Sequence, residues 1–468
     1  MKLALLGGGG FRVPLVHRAL MADESPNRVT ELRLHDVDQQ RLHAIERVLA
    51  EQAASRDDAG LPDAPRVVVC PDLASALEGC DFIFSAIRVG GTVGRVADES
   101  ICLGHQVMGQ ETVGAGGISY ALRGIPVALE LAEQIRRHAP QAWLINFTNP
   151  AGVITQVMRD ALGERVVGIC DSPVGLARRV LRTLTGAGLV PDAVGAGQVG
   201  LGGSQVHVDY LGLNHLGWLQ GLRVGEHDVL PLLVERPDLV ESFEEGKLFG
   251  APLVQALGSV PNEYLHYYYF AREGLAGGLA DENPRGRFLA AQQGEFYRRV
   301  AELGEQQGAL RLWNQTRMER ERTYMAANRE AAGQFERDEQ DMESGGYDQV
   351  ALAIMHAIAN DVAAELVLNV PNRGAIPELA DEDIVEMACR VDAAGIHPLP
   401  VTPLPDHARG MVLNAKYVEH QSIEAATTGS RRAALRALLQ HPLVDSFSTA
   451  QALLQDLEAS FPELGYLH

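Results

Sequence analysis

The sequence predicts an α/β protein: a doubly wound parallel sheet over residues 1–193, followed by a mixed α+β domain over residues 194–468. Three observations carry that reading. Through the first 170 residues, apolar runs of four to six residues alternate with long amphipathic segments, the pattern of βαβ units. Four glycines, Gly7 to Gly10, follow the first apolar run, where a Rossmann-like sheet makes its first strand-to-helix turn. From residue 195 the text becomes glycine-rich with period-two alternation, and beyond Leu232 long helical patterns dominate.

Taken in order, residues 2–6 form the first strand, and residues 32–35 form the second, leading into Asp36. Residues 66–69, 82–87, 143–146 and 166–169 read as further strands, short and apolar enough to be buried on both faces. Residues 121–139 read as an amphipathic helix between two of them. The alternation over 195–231 predicts antiparallel strands, and residues 286–303, 347–368 and 431–439 carry helical periodicity. Residues 334–346, containing FERDEQDMESGG, read as an acidic solvated loop or helix end. The sum is a lactate/malate dehydrogenase-like architecture without internal repeats.

Composition narrows the function. Among 468 residues, 46% are hydrophobic and 22% charged, the mix of a folded chain rather than a disordered one. The net charge of −21 would repel a phosphate backbone, and no run of four Lys or Arg offsets it, so nucleic acid is not an expected partner. Cys70, Cys80, Cys102, Cys170 and Cys389 are odd in number and widely spread, which fits a reducing compartment better than a disulfide framework. No apolar run approaches the ~18 residues of a membrane span. The opening MKLALLGGGGF loses its apolar character at Leu6, so no export leader is expected and the location expected is cytoplasmic.

Gly7, Gly9, Gly10 and Phe11 form a turn in which a pyrophosphate could approach backbone N–H groups at a helix N-terminus. The full G-x-G-x-x-G spacing is not met, since position 12 is Arg. Asp36 closes the second strand 27 residues beyond Gly9, where a carboxylate holds the ribose hydroxyls of NAD and repels a 2′-phosphate. The bland alternative is a glycine-rich turn with no ligand.

Open α/β sheets bind ligands at the carboxyl ends of their strands. At those ends stand Arg88-Val89-Gly90-Gly91 with Arg95, Asp98 and Glu99, then Asn146-Phe147-Thr148-Asn149-Pro150, then Cys170-Asp171-Ser172-Pro173. A cysteine at a strand end is usually a buried structural thiol. Together with the imidazole of His215, Cys170 could instead supply two ligands to a divalent transition metal, leaving positions open for substrate oxygens.

The segments IRVGG, GQETVGAGG (109–117), ALRGIPV (121–127), WLINFTNPAG (143–152), GLNH (212–215), PNEYLHYYY (261–269), LNVPNRGAIPEL and HPLV occur collinearly over nearly the whole chain. In this order they resemble glycoside hydrolase family 4, and within it the run looks most like the 6-phospho-β-glucosidases. That NAD-dependent family is an established exception to hydrolysis by two carboxylates. As the resemblance implies, C3 of the sugar is oxidised by NAD, and the resulting ketone acidifies the C2 proton. A base removes that proton while a divalent metal, Mn²⁺ by expectation, stabilises the enediolate charge. The C1 aglycone is then eliminated, water adds, and the hydride returns.

Carried over by position, the resemblance makes Cys170 and His215 the metal ligands and Tyr264 the base for the C2 proton. It places Glu111 and Asn149 near the ring hydroxyls. Arg95 and Arg285 are candidates for the 6-phosphate, because guanidinium forks suit phosphate oxygens. Without the family, Tyr264 would read as a core aromatic of the Tyr264–Tyr269 run, and each Arg as a surface ion-pair partner. Asp171 departs from the β pattern, in which Asn often stands beside the metal cysteine; α-specific phosphoglucosidases carry Asp there, as a general acid on the leaving oxygen. The absence of His at that position favours a phosphorylated sugar. Phe11-Arg12 departs too, from the small residues common in the first loop. The implied partner is a phosphorylated disaccharide or glycoside, and the implied assembly a homodimer or homotetramer. An ordinary NAD-dependent hydroxy-acid dehydrogenase, or a non-catalytic sugar-phosphate sensor, remains open on the architecture alone.

Overall fold

A computed structural model describes residues 1–55, 63–191, 194, 206–333, 335–337 and 346–468, with the side chains of residues 327 and 331 outside that description. Six parallel strands form the N-terminal part of one sheet: β1 (Lys2–Leu6), β2 (Glu31–His35), β3 (Arg66–Val69), β4 (Phe82–Ser85), β5 (Trp143–Asn146) and β6 (Val166–Gly168). Their spatial order is 3-2-1-4-5-6, that of a doubly wound nucleotide-binding sheet. Alternate residues of these strands feed opposite cores: Leu3, Leu5, Phe82 and Phe84 enter one, and Ala4, Leu6 and Ile83 the other. Burial on both faces is why the strands read as unbroken apolar runs.

The sheet does not stop at β6. The hairpin β7 (Val206–Leu213) and β8 (Leu216–Val224) is flanked by the short strands β9 (His227–Asp228) and β10 (Val260–Pro261). Strands β11 (Ala364–Pro371), β12 (Ile384–Asp392) and β13 (Gly395–Pro398) follow near the C-terminus. β11 pairs antiparallel with β6 through Asn369 and Gly168, and β12 bridges β11 to β7, so both halves of the chain share one sheet. The expected boundary at 193/194 falls beside residues 192–193 and 195–205, which lie outside the described residues.

Several boundaries differ from expectation. The helix expected over 347–368 is Tyr347–Asn360, because Asp361 adopts φ 53° and ends it; the remainder is the central strand β11. Its apolar residues mimic helical periodicity because both of its faces are buried. The second half of the chain therefore carries more strand than its periodicity suggested. The helix expected over 121–139 begins earlier and spans Gly114–His138. Its GAGG start is a packing requirement, since a Cβ on Gly116 would lie 2.2 Å from the Gln110 carbonyl oxygen. The expected antiparallel strands hold for 206–228, whereas 195–205 lie outside the described residues. Most of the acidic segment 334–346 also lies outside them.

Helices of the second half clamp the first. Arg285–Glu302 packs on Gly91–Gly104, Ala309–Arg322 on Gln39–Ala54, and Tyr347–Asn360 on Val13–Met21. A cleft of about 2280 Å³ lies between them, over the carboxyl ends of the parallel strands. Among the described residues no helix is long and apolar enough to cross a membrane. All five cysteines are buried, unpaired thiols.

Candidate functional site

The glycine loop forms one wall of the cleft, lined by Gly7, Gly9, Gly10, Phe11 and Asp36. Gly7 has φ 87°, a region that glycine enters without penalty, and the N–H groups of Gly7 and Gly8 both donate to the His35 carbonyl. A Cβ on Gly9 would stand 2.9 Å from the Arg41 Cβ, and one on Gly10 would stand 2.9 Å from the Gly7 carbonyl oxygen. The loop is thus folded tightly against its surroundings at the start of helix Val13–Met21. Asp36 takes part in this: its Oδ2 accepts the Gly9 N–H at 2.9 Å and its Oδ1 the Asp38 N–H at 2.9 Å. Each oxygen keeps a further lone pair for an outside donor. Phe11 turns its ring inward, edge-on to Phe296 at 5.2 Å.

In the same cleft, Cys170 follows β6 and His215 sits at the tip of the two-residue β7–β8 hairpin turn. His215 has φ 64°, a left-handed conformation that costs a non-glycine residue about 1 kcal/mol. Asn214 secures the turn by donating its side-chain amide to Glu386 Oε1 at 3.0 Å. Burial holds the His215 imidazole neutral, with its pKa lowered to about 3. Its ring lies on that of Tyr264, with centroids 3.7 Å apart and planes 9° from parallel. Burial raises the Cys170 thiol well above its ordinary range, with the charges of Glu386 and Asp171 adding to the effect. Tyr264 is also pushed well up, by burial and then by the negative charge of Glu263. Cys170 is close enough to Tyr264 to contribute to that rise, which places thiol, imidazole and phenol together.

A neutral imidazole and a buried thiol form a soft donor pair suited to a divalent transition ion, which would release the thiol proton. Among the described residues no group of three or more His, Cys, Asp or Glu side chains gathers as a ligand set. The pair therefore fits an open site, in which water or substrate oxygens complete the coordination.

Several arginines also line the cleft. Arg95 donates to Glu99 at 2.8 Å and to Glu111 at 2.7 Å, and Arg88 also bonds Glu111. Burial would raise the Glu111 carboxyl, yet Arg88 and Arg95 hold it at about 2. Arg285 donates to the Thr323 carbonyl and hydroxyl and to the Arg320 carbonyl. Its pKa falls to about 10 through burial and the repulsion of Arg95. Arg320, which no motif marks, falls further, to about 9, through burial and the charges of Arg12, Arg285 and Arg95. Arg95 is matched by Glu99 and Glu111, whereas Arg285 and Arg320 stand among other cations with Glu321 as the nearby carboxylate. Asn149, joined to Pro150 by a cis peptide bond, faces the cleft beside Phe147.

Asp171 lies 3.9 Å from the Arg12 guanidinium and packs against Gly346, whose added Cβ would stand 2.6 Å from Asp171 Oδ2. The two sequence departures, Arg12 and Asp171, thus meet in space. Sequence reasoning passed over Tyr324 and Glu263: the Tyr324 hydroxyl donates to Glu263 Oε1 at 2.7 Å and lies 3.4 Å from the Tyr264 hydroxyl. Glu263 adjoins Tyr264 in PNEYL, but nothing in the RERTYM text around Tyr324 sets it apart.

Comparison with known proteins bears directly on this arrangement. The sequence profile described as Family 4 glycosyl hydrolase matches residues 2–186, and the profile of the Family 4 glycosyl hydrolase C-terminal domain matches residues 210–444. A Bacillus subtilis protein named "Probable 6-phospho-beta-glucosidase" is 30% identical over 98% of this chain and 95% of its own. A phospho-alpha-glucosidase of Clostridium acetobutylicum is 26% identical over 97% of this chain and 96% of its own. In fold, the chain is similar to the 6-phospho-beta glucosidase of Thermotoga maritima, solved with manganese, NAD⁺ and glucose-6-phosphate. The TM-score is 0.79 at 23% identity, over 98% of each chain.

Proposed function

This chain belongs to the family 4 glycosyl hydrolases, and from that premise we propose that it hydrolyses 6-phospho-β-glucosides by transient oxidation and elimination, using NAD and a divalent metal such as Mn²⁺. The observation that carries the reading is the stacking of His215 on Tyr264 beside Cys170, in the same cleft as the glycine loop. When bound, NAD supplies a reversible hydride acceptor near the sugar's C3, and the metal supplies positive charge at the hydroxyl oxygens.

The chain's own residues do the rest. The tight turn of Gly7, Gly9, Gly10 and Phe11 lets a pyrophosphate approach the start of helix Val13–Met21, and Asp36 accepts from ribose hydroxyls. Cys170 and His215 hold the metal. Tyr264 takes the C2 proton; burial and Glu263 hold its phenol above the ordinary range near 10, and a cation held by Cys170 and His215 would favour its phenolate. Glu111, held ionised by Arg88 and Arg95, and Asn149 orient ring hydroxyls. Arg95, Arg285 and Arg320 receive the 6-phosphate, whose charge relieves their mutual repulsion.

The β reading rests on the collinear motifs and on the 30% identical relative named a probable 6-phospho-beta-glucosidase, with Asp171 the departure toward the α pattern. The α reading needs it to hand a proton to the departing oxygen; it lies 3.9 Å from the Arg12 guanidinium. Paired α- and β-p-nitrophenyl 6-phosphoglucosides, assayed with and without NAD⁺ and Mn²⁺, test the proposal. Release of p-nitrophenol from the β anomer, dependent on both cofactors and without accumulating NADH, is the result expected. Preference for the α anomer transfers the acid role to Asp171, and NADH accumulating in step with product marks a dehydrogenase.

A further inference from the structure

Asp98 and Glu99 are neighbours on the helix Gly91–Gly104, both buried, yet they serve different partners. Asp98 is forked onto Arg123 at 2.9 and 2.6 Å, inside the fold. Glu99, 3% exposed and lining the cleft, instead bridges two elements. Its Oε1 accepts from Arg95 Nε at 2.8 Å, one helical turn away, and its Oε2 accepts from the backbone N–H of Gly286 at 2.7 Å.

Gly286 is the second residue of the helix Arg285–Glu302, which has no side-chain cap at its own N-terminus. The first N–H groups of a helix lack partners within it, and here a carboxylate from another helix satisfies one of them. The contact is close, since a Cβ on Gly286 would stand 2.7 Å from Glu99 Oε2. Arg285 immediately precedes Gly286, so holding that N–H holds the backbone from which the Arg285 side chain departs. The Arg285 guanidinium is then aimed by the Thr323 and Arg320 carbonyls. Arg95 and Arg285 repel each other, and Glu99 draws both of their elements to one carboxylate. Only two of the five N–H groups of Arg95 go to Glu99 and Glu111 among the described residues, which leaves donors for an anion.

We propose that Glu99 is a positioning residue that sets the spacing of Arg95 and Arg285 for the 6-phosphate, an inference that rests on the phosphoglucosidase reading above. Without the tie the two cations separate, and a phosphate that engages one of them loses the other. The loss falls on binding of the phosphorylated sugar, because Glu99 itself touches neither the sugar nor the dinucleotide.

Two substitutions act on the tie from opposite sides. Glu99→Gln keeps the size but leaves one carbonyl oxygen for two donors. Gly286→Ala pushes a methyl group against the Glu99 carboxylate, a flexible side-chain end that can yield, while adding a better helix former. The enzyme, loaded with NAD⁺ and Mn²⁺, is assayed on a p-nitrophenyl 6-phosphoglucoside, and glucose-6-phosphate, glucose and NAD⁺ are titrated calorimetrically. Each variant is expected to raise KM and the glucose-6-phosphate dissociation constant about tenfold, with kcat within about twofold and NAD⁺ binding as in wild type. The double variant should also lose about tenfold, since both changes break one tie. Wild-type KM and glucose-6-phosphate binding in both variants overturn the proposal. So does a fall in kcat at unchanged KM, or NAD⁺ binding weakened in step, which marks a structural role, and so does a hundredfold loss in the double variant, which marks two independent effects. A wild type that binds glucose as tightly as glucose-6-phosphate overturns the phosphate reading and the tie together; a wild type that prefers the phosphate, with unimpaired variants, overturns the tie alone.

Discussion

Trp313 donates its indole N–H to the carbonyl of Phe11 at 2.7 Å, tying the helix Ala309–Arg322 to the glycine loop at the opposite end of the chain. Tyr297 makes a second tie, from its hydroxyl to the Gly9 carbonyl at 2.6 Å. Both donors come from the second half of the sequence, so the loop proposed to hold the dinucleotide is shaped by residues some 300 positions away. With the Gly9 and Phe11 carbonyls bonded to these side chains and the N–H groups of Gly7 to Gly10 bonded to His35, Asp36 and the loop itself, the turn is fixed from both sides.

Cofactor affinity should therefore depend on Trp313. Trp313→Phe leaves a buried carbonyl without its donor, a loss of about 1–3 kcal/mol. If about half of that falls on the bound conformation, the NAD⁺ dissociation constant rises roughly tenfold. Isothermal titration with NAD⁺ checks this, with glucose-6-phosphate titration as the control expected to stay unchanged. An unaltered NAD⁺ constant would show that the loop keeps its shape without the tie.

Acid lability should trace in part to His441. This residue is buried at the end of the helix Arg431–Gln440, and the N–H groups of Gly114 and Leu443 both point at its ring nitrogens at 3.1 Å. A doubly protonated ring can accept neither. Burial lowers its pKa from the ordinary 6.5 to about 4. Between these values the unfolded chain binds a proton that the folded one does not, so stability rises with pH across the window and falls as the solution is acidified toward pH 4. The slope for one such group is about 1.4 kcal/mol per pH unit. Urea unfolding midpoints at pH 4.5, 5.5 and 6.5 should show His441→Gln less sensitive to acid than wild type by about that amount. Parallel curves for the two proteins would remove His441 from the account.

The parallel sheet was legible because buried strands are short unbroken apolar runs, and β1 to β6 all lie where such runs occur. β11 was misread as the end of a helix for a physical reason: a strand buried on both faces has no period of its own, and the signal that stopped the helix was the backbone of Asp361 rather than a Gly or Pro. The candidate site divides in the same way. Gly7, Asp36, Cys170, His215 and Tyr264 stand in dense local motifs at strand ends or turns, and the sequence marks them. Arg320, Tyr324 and Glu386 reach the cleft or its ligands from plain helical or strand text, and only tertiary packing reveals them. Arg12 and Asp171 were noticed separately as departures, but no spacing rule says that residues 159 positions apart form a pair.

Arg320 is the arginine whose removal should separate activity from stability. It lines the cleft on the helix Ala309–Arg322, where burial and the charges of Arg12, Arg285 and Arg95 disfavour its own against the pull of Glu321. A cation held among cations is a cost to the empty fold, and a phosphate dianion placed there removes that cost on binding. Arg320→Met keeps much of the packing of the stem and deletes the charge. The thermal midpoint of the unliganded variant should hold or rise by a few degrees, since repulsion is relieved. Its kcat/KM on the p-nitrophenyl 6-phosphoglucoside should fall by about two orders of magnitude, the scale of roughly 3 kcal/mol for a charge-assisted contact to a phosphate. Added glucose-6-phosphate should raise the wild-type midpoint more than that of the variant, by mass action on binding. A variant that melts lower and keeps its preference for the phosphorylated sugar would place the phosphate elsewhere and make Arg320 part of the scaffold.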